Sequence, residues 1–185
     1  MLSQQTLSEQ AVLFTQRLRL EQLSAVHFDG IWHSLGDAES NRLTGTQAQF
    51  TPEAVQNHLT SLPGRDDRAD WAVIRQSDGA FLGEVVLNDL DLENQAMNFR
   101  IALNKTARGQ GYGTEVTRAV IDYGLDVVGL HRISLSVFTF NPRALRVYEK
   151  CGFVHEGVQR DVLFWEGQWI NQISMSILVS DPRAS

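Results

Sequence analysis

The segment Arg108-Gly109-Gln110-Gly111-Tyr112-Gly113-Thr114 constrains this chain more than any other. Its glycines alternate, and they stand between an apolar run ending Ile101-Ala102-Leu103 and a stretch of helical periodicity that starts near Gly111. Glycine admits left-handed backbone and leaves amide N–H groups unshielded by Cβ atoms. The helix that follows adds its own unpaired amides and the positive end of its dipole. A strand, turn and helix joined in this way suit a phosphate or pyrophosphate.

Two nucleotide-binding patterns are tested first. A Walker A loop needs Lys-Ser/Thr after its last glycine, and none follows here. The dinucleotide fingerprint needs Gly-x-Gly-x-x-Gly. From Gly109 its last position is Thr114, and from Gly111 it is Val116, so it fails in both frames. The upstream strands also read as an antiparallel meander rather than a βαβ unit.

That meander consists of runs 71–75, 80–88 and 96–103, separated by Asp78-Gly79 and the polar stretch Asp91 to Gln95. Before it, residues 1–14 read as a loose arm or first strand, and Arg17-Leu18-Arg19-Leu20 alternates like a strand. Helices are predicted over 22–35 and 52–62, the second with Thr51 as N-cap and Pro52 in its first turn. The polar stretch 36–50, with Gly36 and Gly45, reads as a loop, and 63–70 as a charged loop. After the glycine turn, a helix over 111–128 groups Val116, Ala119, Val120, Tyr123 and Val127 on one face. Residues 132–140 alternate, with Ile133, Leu135 and Val137 on one side. Asn141-Pro142 opens a helix to about Lys150, which Gly152 stops. Strands near 157–165 and 169–179 flank Glu166-Gly167. The reading is a single α/β domain over 1–185.

Composition excludes little. At 43% hydrophobic and 21% charged residues the chain is ordinary for a soluble domain. A formal charge of −6 argues against direct nucleic-acid binding. Cys151 has no disulfide partner within the chain, which fits a reducing, cytoplasmic compartment. No signal peptide or membrane span is read, and the histidines and cysteine lack metal-ligand spacing, so no metal is expected.

What remains of the glycine turn is Arg-x-x-Gly-x-Gly, as Arg108, Gly111 and Gly113. Downstream lies Asn141-Pro-Arg-Ala144-Leu-Arg-Val-Tyr148-Glu-Lys-Cys-Gly152-Phe153. Together the two elements, in this order and with one helix and one strand between them, resemble the Gcn5-related N-acetyltransferase (GNAT) family. The closing stretch from Glu156-Gly157 through Trp165-Glu-Gly-Gln-Trp169 is similar to the branch holding ribosomal-protein alanine/serine and spermidine N-acetyltransferases. The resemblance implies an α+β fold with a mixed, mostly antiparallel sheet flanked by helices and splayed between the strands near 96–103 and 132–140. It implies an acetyl-coenzyme A-binding core over 96–153, acceptor-side helices and loops over 30–70, and a homodimer. The activity implied is direct transfer of acetyl from acetyl-CoA to a primary amine, such as a protein N-terminus. Alternatives are a polyamine, antibiotic or metabolite amine, or a non-catalytic coenzyme A-binding sensor.

By the same resemblance, the turn Arg108, Gly109, Gln110, Gly111, Tyr112, Gly113 and Thr114 holds the pyrophosphate, with Asn141 and Arg146 as further contacts. Backbone N–H groups around Ile101, Ala102 and Leu103 meet the oxyanion and pair with the pantetheine arm. Tyr148 is the candidate acid for the leaving thiolate; as a member of the 144/147/148/151 face it is equally a core residue. Asn141 also serves as an N-cap, and Arg108, Arg143 and Arg146 as solvated surface residues. Relatives often carry a base where this chain has Asn98, which leaves Asn98 to orient the acceptor. Glu84, on the neighbouring strand, is the substitute base, or a residue on the solvent face of the sheet. Cys151 reads as core, and Trp165 and Trp169 as packing or as walls of the acceptor site.

Overall fold

The computed structural model describes residues 2–183. The chain forms eight strands: β1 Leu13–Phe14, β2 Leu18–Gln22, β3 Ala69–Arg75, β4 Phe81–Asp91, β5 Ala96–Leu103, β6 Arg132–Phe138, β7 Val154–Trp165 and β8 Gln168–Leu178. They form one sheet in the order β1-β2-β3-β4-β5-β6-β8-β7. Every neighbouring pair is antiparallel except β5 and β6, which run parallel. The crossover between that parallel pair carries the glycine turn and the helix that follows it.

Alternation along β3, β4 and β5 sends one set of side chains to each face. Trp71, Val85, Leu87, Met97 and Phe99 join the larger core, with Val116 and Val120 of α5 (Tyr112–Asp122). Ala72 and Ile74 point to the opposite face, where they meet Val55 and Leu59 of α4 (Pro52–Ser61) and the half-buried Phe28 and Ile31 of α2 (Phe28–Leu35). Helix starts follow the expected chemistry. Thr51 accepts a hydrogen bond from the Ala54 amide (3.2 Å), and Asn141 accepts one from the Ala144 amide (3.1 Å) at the start of α6 (Pro142–Lys150).

Three expectations are corrected. Residues 2–14 are a docked segment: α1 (Gln4–Ser8) buries Leu7, the Tyr123 hydroxyl donates to the Thr6 carbonyl (2.8 Å), and the Trp71 indole donates to the Ala11 carbonyl (3.0 Å). The stretch read as a 36–50 loop contains α3 (Ala38–Thr44), capped by the Asp37 carboxylate and closed by Gly45 at φ 68°. Seven residues make two turns, too few for a periodic signal. The third concerns Val127, which is 56% exposed. From Tyr123 to Val128 the α5 helix continues as a π-helix, whose i→i+5 spacing brings Val128 to the core instead.

Gly83 is the position in β4 that only glycine satisfies. Its φ is 146°, and an added Cβ would lie 2.1 Å from the Ala102 carbonyl oxygen. Gly83→Ala is therefore expected to cost about 2 kcal/mol or more, read as a lowered urea midpoint at unchanged slope.

Candidate active site

The site begins where the β5–β6 ladder stops. Pairing runs from Ala96↔Arg132 to Asn98↔Ser134 and no further, although the strands continue to Leu103 and Phe138. Past Asn98, that edge of β5 therefore carries backbone donors and acceptors without a strand partner. Phe99 is the first residue beyond the last pair. Its ring meets Tyr148 edge-on at 6.1 Å and Phe153 at 6.2 Å, so aromatic packing fixes the foot of the fork. Above it opens a cleft of about 400 Å³. Its walls are Phe99–Leu103, Ser136–Phe138, the glycine turn, one face of α6, and Ser40, Leu43 and Thr44 of α3.

Arg108, Gly109, Gly111, Gly113 and Thr114 line this cleft. Gly109 (φ 77°) and Gly111 (φ 82°) hold left-handed backbone, and Gly111 caps α5 without any side chain to satisfy the first amides of the helix. Those amides are left for an anion. Gln110 and Tyr112 do not line the cleft. The Gln110 side chain donates to the Thr106 carbonyl (2.5 Å), and its own carbonyl accepts from Arg17 (2.9 Å). Tyr112 is buried beneath the Arg17 guanidinium, 4.3 Å from the ring centre. Both brace the back of the turn.

Arg108 points across the cleft wall. Its Nε donates to the Leu103 carbonyl (3.2 Å), and its guanidinium pairs with Asp37 (3.0 Å) and Glu39 (2.8 Å) and bonds Ser40. One side chain, 11% exposed, thus ties the end of β5 and the glycine turn to the N-terminus of α3. The hydrogen bond from Ser40, with Arg108 beside it, holds the Asp37 carboxyl below its ordinary value. Asn141 is committed to its helix cap while lining the cleft.

Tyr148 is 7% exposed and lines the cleft. Burial raises its hydroxyl's pKa, so it stays protonated and able to donate. Cys151 is buried, its thiol pushed up to about 11 by desolvation, which makes it an inert core residue. Glu84 does not line the main cleft. It faces a water-sized cavity, about 30 Å³, together with Thr44, Val86, Arg100, Ile101 and Ala102. Thr44, Arg100, Ile101 and Ala102 line both spaces, so Glu84 sits one side chain behind the cleft. Burial raises its pKa, and Arg100 pulls it back down. Asn98 lines neither; its amide donates to Asn88 Oδ1 (3.0 Å) on the paired part of the sheet. Trp169 is 62% exposed against Phe164 (5.0 Å), outside the core.

A family model described as "Acetyltransferase (GNAT) domain" matches residues 17–154. The chain belongs to the GNAT acetyltransferase family. Among its relatives, spermidine N(1)-acetyltransferases of Vibrio cholerae and Escherichia coli K12 are each 30% identical over 58% and 60% of this chain. The matches span 62% and 60% of those proteins' lengths. A probable N-acetyltransferase of Bacillus subtilis, YjcK, is 30% identical over 71% of this chain and 75% of its own length. A putative ribosomal N-acetyltransferase of B. subtilis, YdaF, is 29% identical over 55% of each. The solved spermidine N-acetyltransferase of V. cholerae, in complex with CoA and spermine, superposes with a TM-score of 0.81. That structure is 22% identical and covers 90% of this chain and 98% of its own, a shared fold.

Within the GNAT framework, the structure brings Tyr148, Ile101–Leu103, the glycines, Thr114, Asn141 and Arg146 to one cleft. Sequence reasoning missed three contributors. Lys150 lines the cleft with Arg143 and Arg146, an i, i+3, i+7 ridge on α6 that helical spacing alone would have revealed. Arg100 carries no pattern. Ser40, Leu43 and Thr44 were hidden because α3 was read as loop.

Arg108→Gln is expected to speed amide exchange across 38–44 by about tenfold, about 1.4 kcal/mol, while 112–122 changes little. The same segment should loosen in the unmodified protein at low pH. Asp37's lowered folded value means its stabilisation is present above the ordinary carboxylate range and lost as pH falls from there through the lowered value. Exchange mass spectrometry across a pH series checks both.

Proposed function

We propose that this chain transfers the acetyl group of acetyl-coenzyme A directly to a primary amine. The observation that carries the reading is the forked β5–β6 edge, which opens onto a bare-amide glycine turn on one side and a buried tyrosine on the other. The residues fit the donor. The unpaired edge of Phe99–Leu103 is able to take the pantetheine amides as an added strand. The amides at Gly109–Thr114 suit a pyrophosphate, and Arg143, Arg146 and Lys150 offer positive charge to further phosphates.

Acetyl-coenzyme A supplies an activated thioester. The protein's part is proton handling and orientation. An ordinary ammonium titrates near 10 and is not nucleophilic at neutral pH, so Glu84 accepts its proton, through water across the small cavity. The amine nitrogen then bonds to the acyl carbon as the carbon–sulfur bond breaks. A β5 backbone N–H stabilises the negative charge that develops on the carbonyl oxygen. Tyr148 gives its proton to the departing sulfur and regains one from the new amide nitrogen; one proton leaves to solvent by way of Glu84. The relatives' names support an amine acceptor, polyamine or protein N-terminus. A homodimer and a cytoplasmic location belong to the same reading: β7 leaves its outer edge unpaired with Val158 and Phe164 exposed, and the one cysteine is a free thiol.

Calorimetric titration with acetyl-coenzyme A tests the donor; no heat at millimolar ligand sinks the proposal. Tyr148→Phe is expected to lower kcat by about 100-fold, within the range for general acids, with coenzyme affinity changed less than about threefold. Unchanged turnover would remove Tyr148 from the chemistry. A base must be unprotonated, so kcat/KM should rise with pH through Glu84's raised value, placing the acid limb above the ordinary carboxylate range. The charges that set this limb are Arg100 on β5, Asp70 on β3 and Arg68 just before it. Glu84→Gln should abolish the limb.

A further inference from the structure

Resting on that acetyl-transfer reading, we infer that the acceptor is a primary amine bearing its own carboxylate, with Arg100 as the residue that reads the carboxylate while Glu84 faces the amine. The main cleft is lined by Arg100, Arg108, Arg143, Arg146 and Lys150, and by no Asp or Glu among the described residues. The carboxylates nearest its α3 wall, Asp37 and Glu39, are both engaged by Arg108. A polyamine carries several positive charges and needs several free carboxylates. This acceptor end offers one, Glu84, and sets an arginine beside it.

Arg100 differs from the other cleft cations. Arg108 is paired, and Arg143, Arg146 and Lys150 lie on the α6 face given to the coenzyme. The Arg100 side chain is exposed and makes no hydrogen bond, and no ion pair within 4 Å, among the described residues. Its strand register places it well for a second role. Glu84 stands opposite Ala102, and Val86 opposite Arg100, so Glu84 and Arg100 are diagonal neighbours on one face of the sheet. Such neighbours lie roughly 7–8 Å apart between Cα atoms. Arg100 lines both the main cleft and the small cavity, so a molecule in the cleft can set its anion on the guanidinium and turn its ammonium towards Glu84 by way of the water-sized cavity. The hydroxyl of Thr44, on the same wall, is bonded to the Ser40 carbonyl and Thr46, so its hydrogen bonds are already committed.

The test is a thiol-release assay with acetyl-coenzyme A over three acceptor sets: α- and ω-amino acids, their carboxamides, and spermidine. Amino acids should exceed their carboxamides in kcat/KM by about tenfold or more, the worth of one charged pair at a partly desolvated site. Arg100→Gln should collapse that ratio towards one, Arg100→Lys should keep part of it, and Arg100→Glu should favour spermidine. Glycyl-aspartate against glycyl-asparagine distinguishes a free amino acid from an acidic peptide end as the source of the carboxylate. Spermidine outrunning every amino acid in the unmodified protein, or a ratio that Arg100→Gln leaves intact, overturns the inference while acetyl transfer stands. Bound coenzyme with no transfer to any amine overturns both.

Discussion

A parallel ladder that stops after three residue pairs organises this protein. The antiparallel neighbours β3/β4, β4/β5 and β7/β8 resume pairing past their bulges; β5 and β6 are joined by a long crossover and part company after Asn98 and Ser134. Backbone groups beyond that point demand partners, and water is a poor one in a cleft walled by Phe99, Leu103 and Val137. The fork thus creates an unmet hydrogen-bonding need in the shape of an extended chain. The crossover also delivers the glycine turn to the open end, so the unpaired strand edge and the free helix amides come from one topological choice.

Around the fork, side chains divide into those facing the ligand space and those bracing it. Arg17 gathers Glu115, the Gln110 carbonyl and the Tyr112 ring behind the turn. Arg108 does the same on the α3 side of the cleft, joining Leu103 to α3. A family pattern that ends in glycines invites every position in it to be read as a ligand contact. Here Gln110 and Tyr112, the positions between the glycines, serve the protein itself: their side chains brace the back of the turn.

The sheet was legible because the meander's strands are apolar runs bounded by turn chemistry, and Asp78-Gly79 punctuates them without ambiguity. The helix starts at Thr51 and Asn141 were legible because a capping side chain and a following proline are local chemistry. The misses share a cause, which is that the deciding interaction is remote in sequence. α3 is too short to signal itself and is fixed through Arg108, some seventy residues on. The N-terminal segment is ordered by Trp71 and Tyr123. Val127 leaves the core because a π turn shifts the register after Tyr123, a change with no marker in the apolar pattern. For the candidate site, Tyr148 and the glycines were singled out by pattern, whereas Arg100 and Lys150 line the same cleft without a sequence marker that names them.

Net charge and local charge give opposite advice about the acceptor. A formal −6 over the whole chain favours cationic partners at long range, and that attraction is screened beyond about 8–10 Å at physiological salt. Inside the cleft the balance is reversed, with guanidinium and ammonium groups on three walls and the nearby acids already paired. Contacts made in a partly desolvated cavity outweigh a screened surface field, because the effective dielectric there is lower. On the proposed reading, the outer charge governs how ligands approach, and the few side chains around Glu84 and Arg100 govern which of them is held.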